Sequence, residues 1–284
     1  MRKVWLVTGS ASGLGRHIVE AALLAGHQVV ASSRRPDALT DFAAQHNENL
    51  RTVKHDVVNE AEARIAVETA VQQFGRLDVV VNNAGYSKFA PFEQLDDADF
   101  RGIIETCLYG VVYTTRAALP VMRQQKSGII FQVSSLGGRI TRPGNSPYHA
   151  AKWAVSGFSE AVAQETAPFG VQICALEPGG IRTNWGKRAA SEVPPVLPDY
   201  EASVGETLRR LNSYWGQENS DPQLIAQAIV GLSNEKSLPF HLLLGSDALT
   251  NLERVDDERG KAALKWRAVS ASVDFRPENT PEPI

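Results

Sequence analysis

Val4-Trp5-Leu6-Val7-Thr8-Gly9-Ser10-Ala11-Ser12-Gly13-Leu14-Gly15 decides how this chain is read. A short β-branched run passes through a glycine-rich turn into a segment of helical periodicity, the opening of a strand–turn–helix unit. In that place glycines permit a tight turn, let backbone approach a pyrophosphate and let the helix pack closely on the sheet. The first amides of the helix then face the phosphates. The spacing is Gly-x-x-x-Gly-x-Gly and not the commoner Gly-x-Gly-x-x-Gly. A glycine cluster by itself also suits a ligand-free flexible loop; the strand before it and the helix after it favour the nucleotide.

Outward from this turn, short β-branched runs alternate with longer helical segments, the pattern of βαβ units in a parallel sheet. Strands are predicted at Val4–Thr8, Gln28–Ser32, Leu50–Lys54, Asp78–Asn82, Gly128–Ser134, Val171–Leu176 and Phe240–Leu244. Helices are predicted near residues 13–25, 60–74, 97–125, 147–167 and 221–233. The strands carry few polar interruptions, as strands covered on both faces do. The expected fold is α/β, a doubly wound parallel seven-stranded sheet with helices on both faces. One domain is expected over residues 1–266, with an insertion after the sixth strand whose part from 184 to 216 forms a lid, and a loosely held tail over 267–284.

With 284 residues and 43% hydrophobic composition the chain can bury a large core. Its 29 basic and 32 acidic residues, net charge -3, give no field suited to nucleic acid or an anionic membrane. No apolar run approaches the ~20 residues of a membrane span. The apolar N-terminal run leads into the glycine turn and not a cleavage site, so it reads as a strand. Cys107 and Cys174, the only cysteines, are too few for a disulfide framework or a thiolate metal site. No metal is expected, and the expected setting is a reducing cytoplasm.

Further motifs follow in order. Asp56-Val57 comes after the third strand, Asn82-Asn83-Ala84-Gly85 ends the fourth, Tyr148-x-x-x-Lys152 lies on a predicted helix, and Pro178-Gly179-Gly180-Ile181-Arg182-Thr183 follows the sixth strand. With the glycine turn, these resemble the Tyr-Lys subgroup of the short-chain dehydrogenase/reductase family, over roughly residues 4–185. The resemblance implies a Rossmann-type fold and a nicotinamide dinucleotide held by Gly9, Ser12, Gly13, Leu14 and Gly15. Asp56 and Val57 would lie near the adenine; Asn83, Ala84 and Gly85 would line the cofactor. Pro178, Gly179, Ile181 and Thr183 would flank the nicotinamide.

Tyr148 and Lys152, four residues apart, share one helix face. A tyrosine of pKa ~10 is a reluctant acid near neutrality, and an adjacent ammonium makes its phenolate easier to form. Reduction of a ketone needs such a proton donor at the oxygen. The resemblance also has Lys152 holding the ribose. Ser134 and Ser135 could each bind the carbonyl oxygen, and pleating turns only one towards it; the family's serine precedes its tyrosine by thirteen residues, which selects Ser135. Many relatives place an asparagine, part of a proton relay, where Cys107 stands here. A buried thiol that merely packs is the ordinary alternative.

The second strand ends Ser32-Ser33-Arg34-Arg35, with no acid before Asp37. Ser33 and Arg34 suit a 2′-phosphate, so NADP(H) is expected to be preferred, with NAD(H) possible. Some NADP(H)-preferring relatives also carry a basic residue inside the turn, where Ser12 stands. Leu197, Tyr200, Leu208, Leu211, Tyr214 and Trp215 would make an apolar lid for a hydrophobic alcohol or ketone. His149 is expected to line the pocket or face solvent. The resemblance implies a homodimer or homotetramer through the helices near 97–125 and 147–167. The expected activity is oxidation of a secondary alcohol or reduction of a carbonyl; the alternative is a non-catalytic NADP(H) sensor.

Overall fold

The computed structural model describes residues 1–46, 48–191 and 193–275. Strand β1 (Val4–Thr8) is buried along its whole length, and its side chains alternate between two apolar layers. Trp5 and Val7 face one side with Val29, Ala31, Val79, Val81 and Phe131, against Leu14, Ile18 and Ala22 of α1 (Gly13–Leu24). Val4 and Leu6 face the other with Val30, Val80, Ile130 and Ile173. The period of two thus assigns alternate residues to opposite layers.

The remaining strands are β2 (Gln28–Ser33), β3 (Leu50–Lys54), β4 (Val79–Asn82), β5 (Gly128–Val133), β6 (Val171–Pro178) and β7 (His241–Leu244). They form a seven-stranded sheet in the order β3-β2-β1-β4-β5-β6-β7, every pair parallel. In register, Trp5 pairs with Val29 on one side and Val79 on the other. The strand order reverses between β1 and β4, and open α/β sheets bind their ligands at such a switch point, beyond the strands' C-terminal ends.

The other helices are α2 (Thr40–Gln45), α3 (Glu60–Phe74), α4 (Asp97–Ile104), α5 (Gly110–Gln125), α6 (Ser146–Thr166), α7 (Trp185–Ala189), α8 (Glu206–Tyr214), α9 (Pro222–Leu232) and α10 (Ser246–Ala271). Helices α1 and α9 cover the first face, through Ile225, Ala226 and Ile229 of α9. Helices α3, α5 and α6 cover the second, through Ala66, Val67, Ala70, Ala118, Met122 and Ala163. This is the doubly wound Rossmann-type arrangement expected above.

Several boundaries move. Strand β6 runs to Pro178, two residues past the expected Leu176, because β7 pairs with it there. The segment near 97–125 is α4 and α5 joined by a π-helical turn, Glu105–Tyr109, that contains Cys107. Strand β5 stops at Val133, so both serines that follow lie beyond the strand. Helices α2, α7, α8 and α10 lie outside the expected helices. Arg267 to Ala271, assigned to the tail, continue α10; residues 276–284 of that tail lie outside the described residues. The first turns of α10 pack Ala248 and Leu252 against Leu136 and Ile140. Its exposed continuation carries Arg254–Glu258 and Asp257–Lys261 pairs at helical spacing. Among the described residues no helix is long and apolar enough to cross a membrane.

Candidate active site

A cleft of about 610 Å³ opens at the C-terminal ends of the strands. The three turn glycines do different work there. Gly9 has φ +65°, and a Cβ on it would stand 2.8 Å from the Ala84 Cα. A Cβ on Gly15 would stand 2.5 Å from both the Gly9 carbonyl oxygen and the Asn83 amide nitrogen. Gly13, with φ +56°, has nothing within 4 Å of its Cβ position and lines the cleft. Gly9 and Gly15 therefore exist for packing and Gly13 for open space over the helix N-terminus. That cradle fits a dinucleotide diphosphate.

Thr8 and Asn83 lock this turn to the end of β4. The Thr8 hydroxyl accepts from the Asn83 and Ala84 amides at 3.0 and 3.1 Å. The Asn83 side chain donates to the Thr8 carbonyl at 3.0 Å. Asn82, one residue earlier, serves the scaffold: its amide donates to Gln132 at 2.8 Å and to Thr115 at 3.2 Å.

Ser12, Leu14, Ser33, Arg34, Asp56, Val57, Asn83, Ala84 and Gly85 line the cleft, as do Pro178, Gly179, Ile181 and Thr183. Gly15 alone of the expected contacts sits behind the wall. Ser33 and Arg34 stand at one end with His55, which no motif suggested. Burial pushes His55 down to about 4, and its Nδ1 shares a hydrogen bond with the Ser32 hydroxyl at 3.0 Å. The ring is therefore neutral near pH 7.

At the other end Ser135, Tyr148 and Lys152 converge. The Ser135 hydroxyl accepts from the Gly137 amide at 2.9 Å and stands beside the Tyr148 phenol, whose ionisation it favours. The Ser134 hydroxyl is occupied elsewhere, with the Lys152 carbonyl at 3.2 Å and Ser156 at 3.1 Å. Lys152 is buried, donates to the Val133 carbonyl at 2.7 Å, and holds its ammonium 5.6 Å from the Tyr148 ring centre. Burial pushes the Tyr148 phenol up, while Ser135 pulls it down. Burial also pushes the Lys152 ammonium down. Burial thus keeps the Tyr148 phenol protonated and makes the Lys152 charge costly to hold.

Cys107 is fully buried and donates to the Tyr86 carbonyl at 3.3 Å; burial pushes its thiol up. His149 is a strut: its Nε2 accepts from the Arg142 amide at 3.0 Å, so Nδ1 donates to the Gly137 carbonyl at 2.8 Å. It ties the loop after β5 to α6.

Of the apolar residues expected in the lid, Leu211, Tyr214 and Trp215 line the cleft. Leu208 is packed inside the lid's own cluster with Phe89, Ala189 and Val204. Tyr200 reaches Glu93 instead, at 2.7 Å, and Leu197 is exposed. Sequence reasoning missed Trp185, whose ring lies 5.2 Å from that of Tyr148. It also missed Asp247 of α10, which accepts from the Gly180 amide at 2.9 Å and closes the cleft floor. Neither lies in a motif.

Residues 3–193 match the family described as short chain dehydrogenase. Oxidoreductase BOA17 of Botryotinia fuckeliana is 45% identical over 271 residues, 95% of this chain and 98% of that protein. The crystal structure of a short-chain dehydrogenase from Streptomyces avermitilis is 37% identical with a TM-score of 0.89, covering 97% of this chain and 100% of that one. A structure described as ElxO with NADP bound is 27% identical with a TM-score of 0.73, covering 88% and 100%. With the sheet order, the glycine turn and the residues gathered in one cleft, these matches place the chain in the short-chain dehydrogenase/reductase family of oxidoreductases.

Proposed function

We propose that this protein interconverts a secondary alcohol and a ketone or aldehyde on an apolar small molecule with NADP(H), NAD(H) being the weaker cofactor. The observation that carries this reading is the convergence of Ser135, Tyr148 and Lys152 at one end of a cleft whose other end presents Ser33 and Arg34. The turn and the cleft fit a dinucleotide, and Arg34 can clamp a 2′-phosphate that an acid would repel. ElxO with NADP bound, a relative of the same fold, supports a nicotinamide dinucleotide in the cleft.

The bound nicotinamide supplies or accepts the hydride. Tyr148 gives its phenolic proton to the carbonyl oxygen as charge develops there, and takes it back from the alcohol in the reverse direction. Ser135 donates a hydrogen bond to the same oxygen and holds it against the phenol. Lys152, fixed by the Val133 carbonyl, favours the phenolate by its charge and holds the nicotinamide ribose. Trp185, Leu211 and Trp215 surround the apolar part of the substrate and keep water from the reacting atoms. The proposed assembly is a homodimer or homotetramer across α4, α5 and α6.

Absorbance of NADPH over a panel of apolar ketones, aldehydes and secondary alcohols tests this. Tyr148→Phe is expected to lose about 10³-fold in turnover while still binding NADPH. Turnover retained by Tyr148→Phe would sink the proton assignment. NADPH binding by the unaltered protein with no turnover on any substrate would favour the sensor.

A further inference from the structure

The lid places cations where the glycine turn has none. Beside the main cleft, a hollow of about 420 Å³ is lined by Ser12, Gly13 and His17 on one side and by Arg182, Lys187 and Arg188 on the other. Among the described residues no carboxylate lines it. Three positive charges sharing one hollow repel one another, a cost that an anion between them would relieve. Arg182 is held by the Glu218 carbonyl at 2.9 Å. Arg188, on α7, instead reaches across to the turn, its Nη1 3.5 Å from the Ser12 hydroxyl. It forms no ion pair among the described residues, and it alone of the three lines both the hollow and the main cleft. Ser12 is short and its side chain does not cap α1, so the space beside the turn is open to a guanidinium from elsewhere.

We propose that Arg188 is a ligand of the cofactor's diphosphate, supplied to the glycine turn from the lid. This rests on the dinucleotide reading above. The position along the cleft selects the phosphate. Ser33 and Arg34 mark the adenosine end, and Ser135 and Tyr148 the reacting end. Ser12 and Gly13 lie between, where the diphosphate joins the two nucleosides. A guanidinium there adds charge-assisted hydrogen bonds to the amides of the turn. The diphosphate is common to NADPH and NADH, so Arg188 contributes to both and discriminates between neither.

Calorimetric titration of the full chain with NADPH and with NADH tests this. Arg188→Gln is expected to weaken both by about tenfold and by the same factor, as for one charged hydrogen-bond partner. Arg188→Lys is expected to recover most of the loss. Arg34→Ser, the comparison, is expected to weaken NADPH alone. Circular dichroism of Arg188→Gln identical to that of the unaltered chain excludes misfolding as the cause. Unchanged affinities in Arg188→Gln would overturn the proposal, and a loss confined to NADPH would overturn it in favour of a 2′-phosphate contact. If the unaltered chain bound neither dinucleotide, the functional reading would fail first; normal binding by it, with Arg188→Gln indistinguishable, would fail this inference alone.

Discussion

The glycine turn of residues 9–15 and the lid of residues 184–216 face each other across one cleft, and they meet their neighbours by different means. At the turn, contact is mostly backbone on backbone. A Cβ on Gly9 would strike the Ala84 Cα at 2.8 Å, and one on Gly15 the Gly9 carbonyl at 2.5 Å. In the lid, a Cβ on Gly186 would strike the Trp215 indole nitrogen, which belongs to a side chain that can rotate. Backbone held in a parallel sheet does not yield, whereas an indole in a peripheral cluster does. The cofactor wall is therefore rigid and built for one ligand. The lid can repack, and on the proposed function it is expected to set which substrate enters.

Gly9→Ala breaks that comparison open most forcefully. Positive φ and overpacking together are expected to cost about 3 kcal/mol, measured by urea unfolding, and to abolish NADPH binding. Gly186→Ala is expected to cost under about 1 kcal/mol once Trp215 turns away, and to show itself as an altered KM for the substrate. Equal destabilisation by the two substitutions would mean that the lid is as rigid as the turn.

The two serines after β5 sharpen the comparison within one wall. Ser135 faces Tyr148, while Ser134 holds the backbone of α6 through the Lys152 carbonyl. Ser135→Ala is expected to reduce turnover by about 10²-fold with stability little changed. Ser134→Ala is expected to cost about 1 kcal/mol of stability and less than about tenfold in turnover. Steady-state kinetics beside thermal unfolding separates the two, and equal kinetic losses would overturn the assignment of Ser135.

The same division explains what could be read from the chain. The sheet was legible because each buried strand needs an apolar run and each crossover a periodic helix. The residues after β1, β4 and β6 form motifs because backbone must approach the ligand there. Lid contacts carry no such signature. Leu208 and Leu211 both looked like cleft wall, yet only packing separates the one inside the lid cluster from the one lining the pocket. Asp247 and Trp185 reach the site from residues whose local sequence is ordinary, so only the tertiary fold reveals them. Helix α10 escaped notice because its mostly exposed surface lacks a long apolar stripe. Of the two serines Ser135 is the one beside Tyr148, and pleating does not decide between them: β5 ends before either serine, and their hydrogen bonds distinguish them instead.

Cys107, where the resemblance implies an asparagine, marks the smallest effect. Its sulfur and the Lys152 ammonium flank Gly85, at 3.4 and 3.7 Å from the Cβ position there. An asparagine at 107 could keep the bond to the Tyr86 carbonyl through its amide and leave its oxygen to hold a water beside Lys152, which a weakly bonding thiol does poorly. On the proposed mechanism alcohol oxidation uses the Tyr148 phenolate, so its rate is expected to rise with pH through the tyrosine's pKa in the loaded enzyme, and carbonyl reduction, which uses the phenol, is expected to fall over the same range. Cys107→Asn is expected to raise turnover by about two- to threefold, a small fraction of what a proton-transfer group contributes, and to lower the solvent deuterium isotope effect. Rates unchanged across the pH profile would show that the proton leaves Tyr148 without passing position 107.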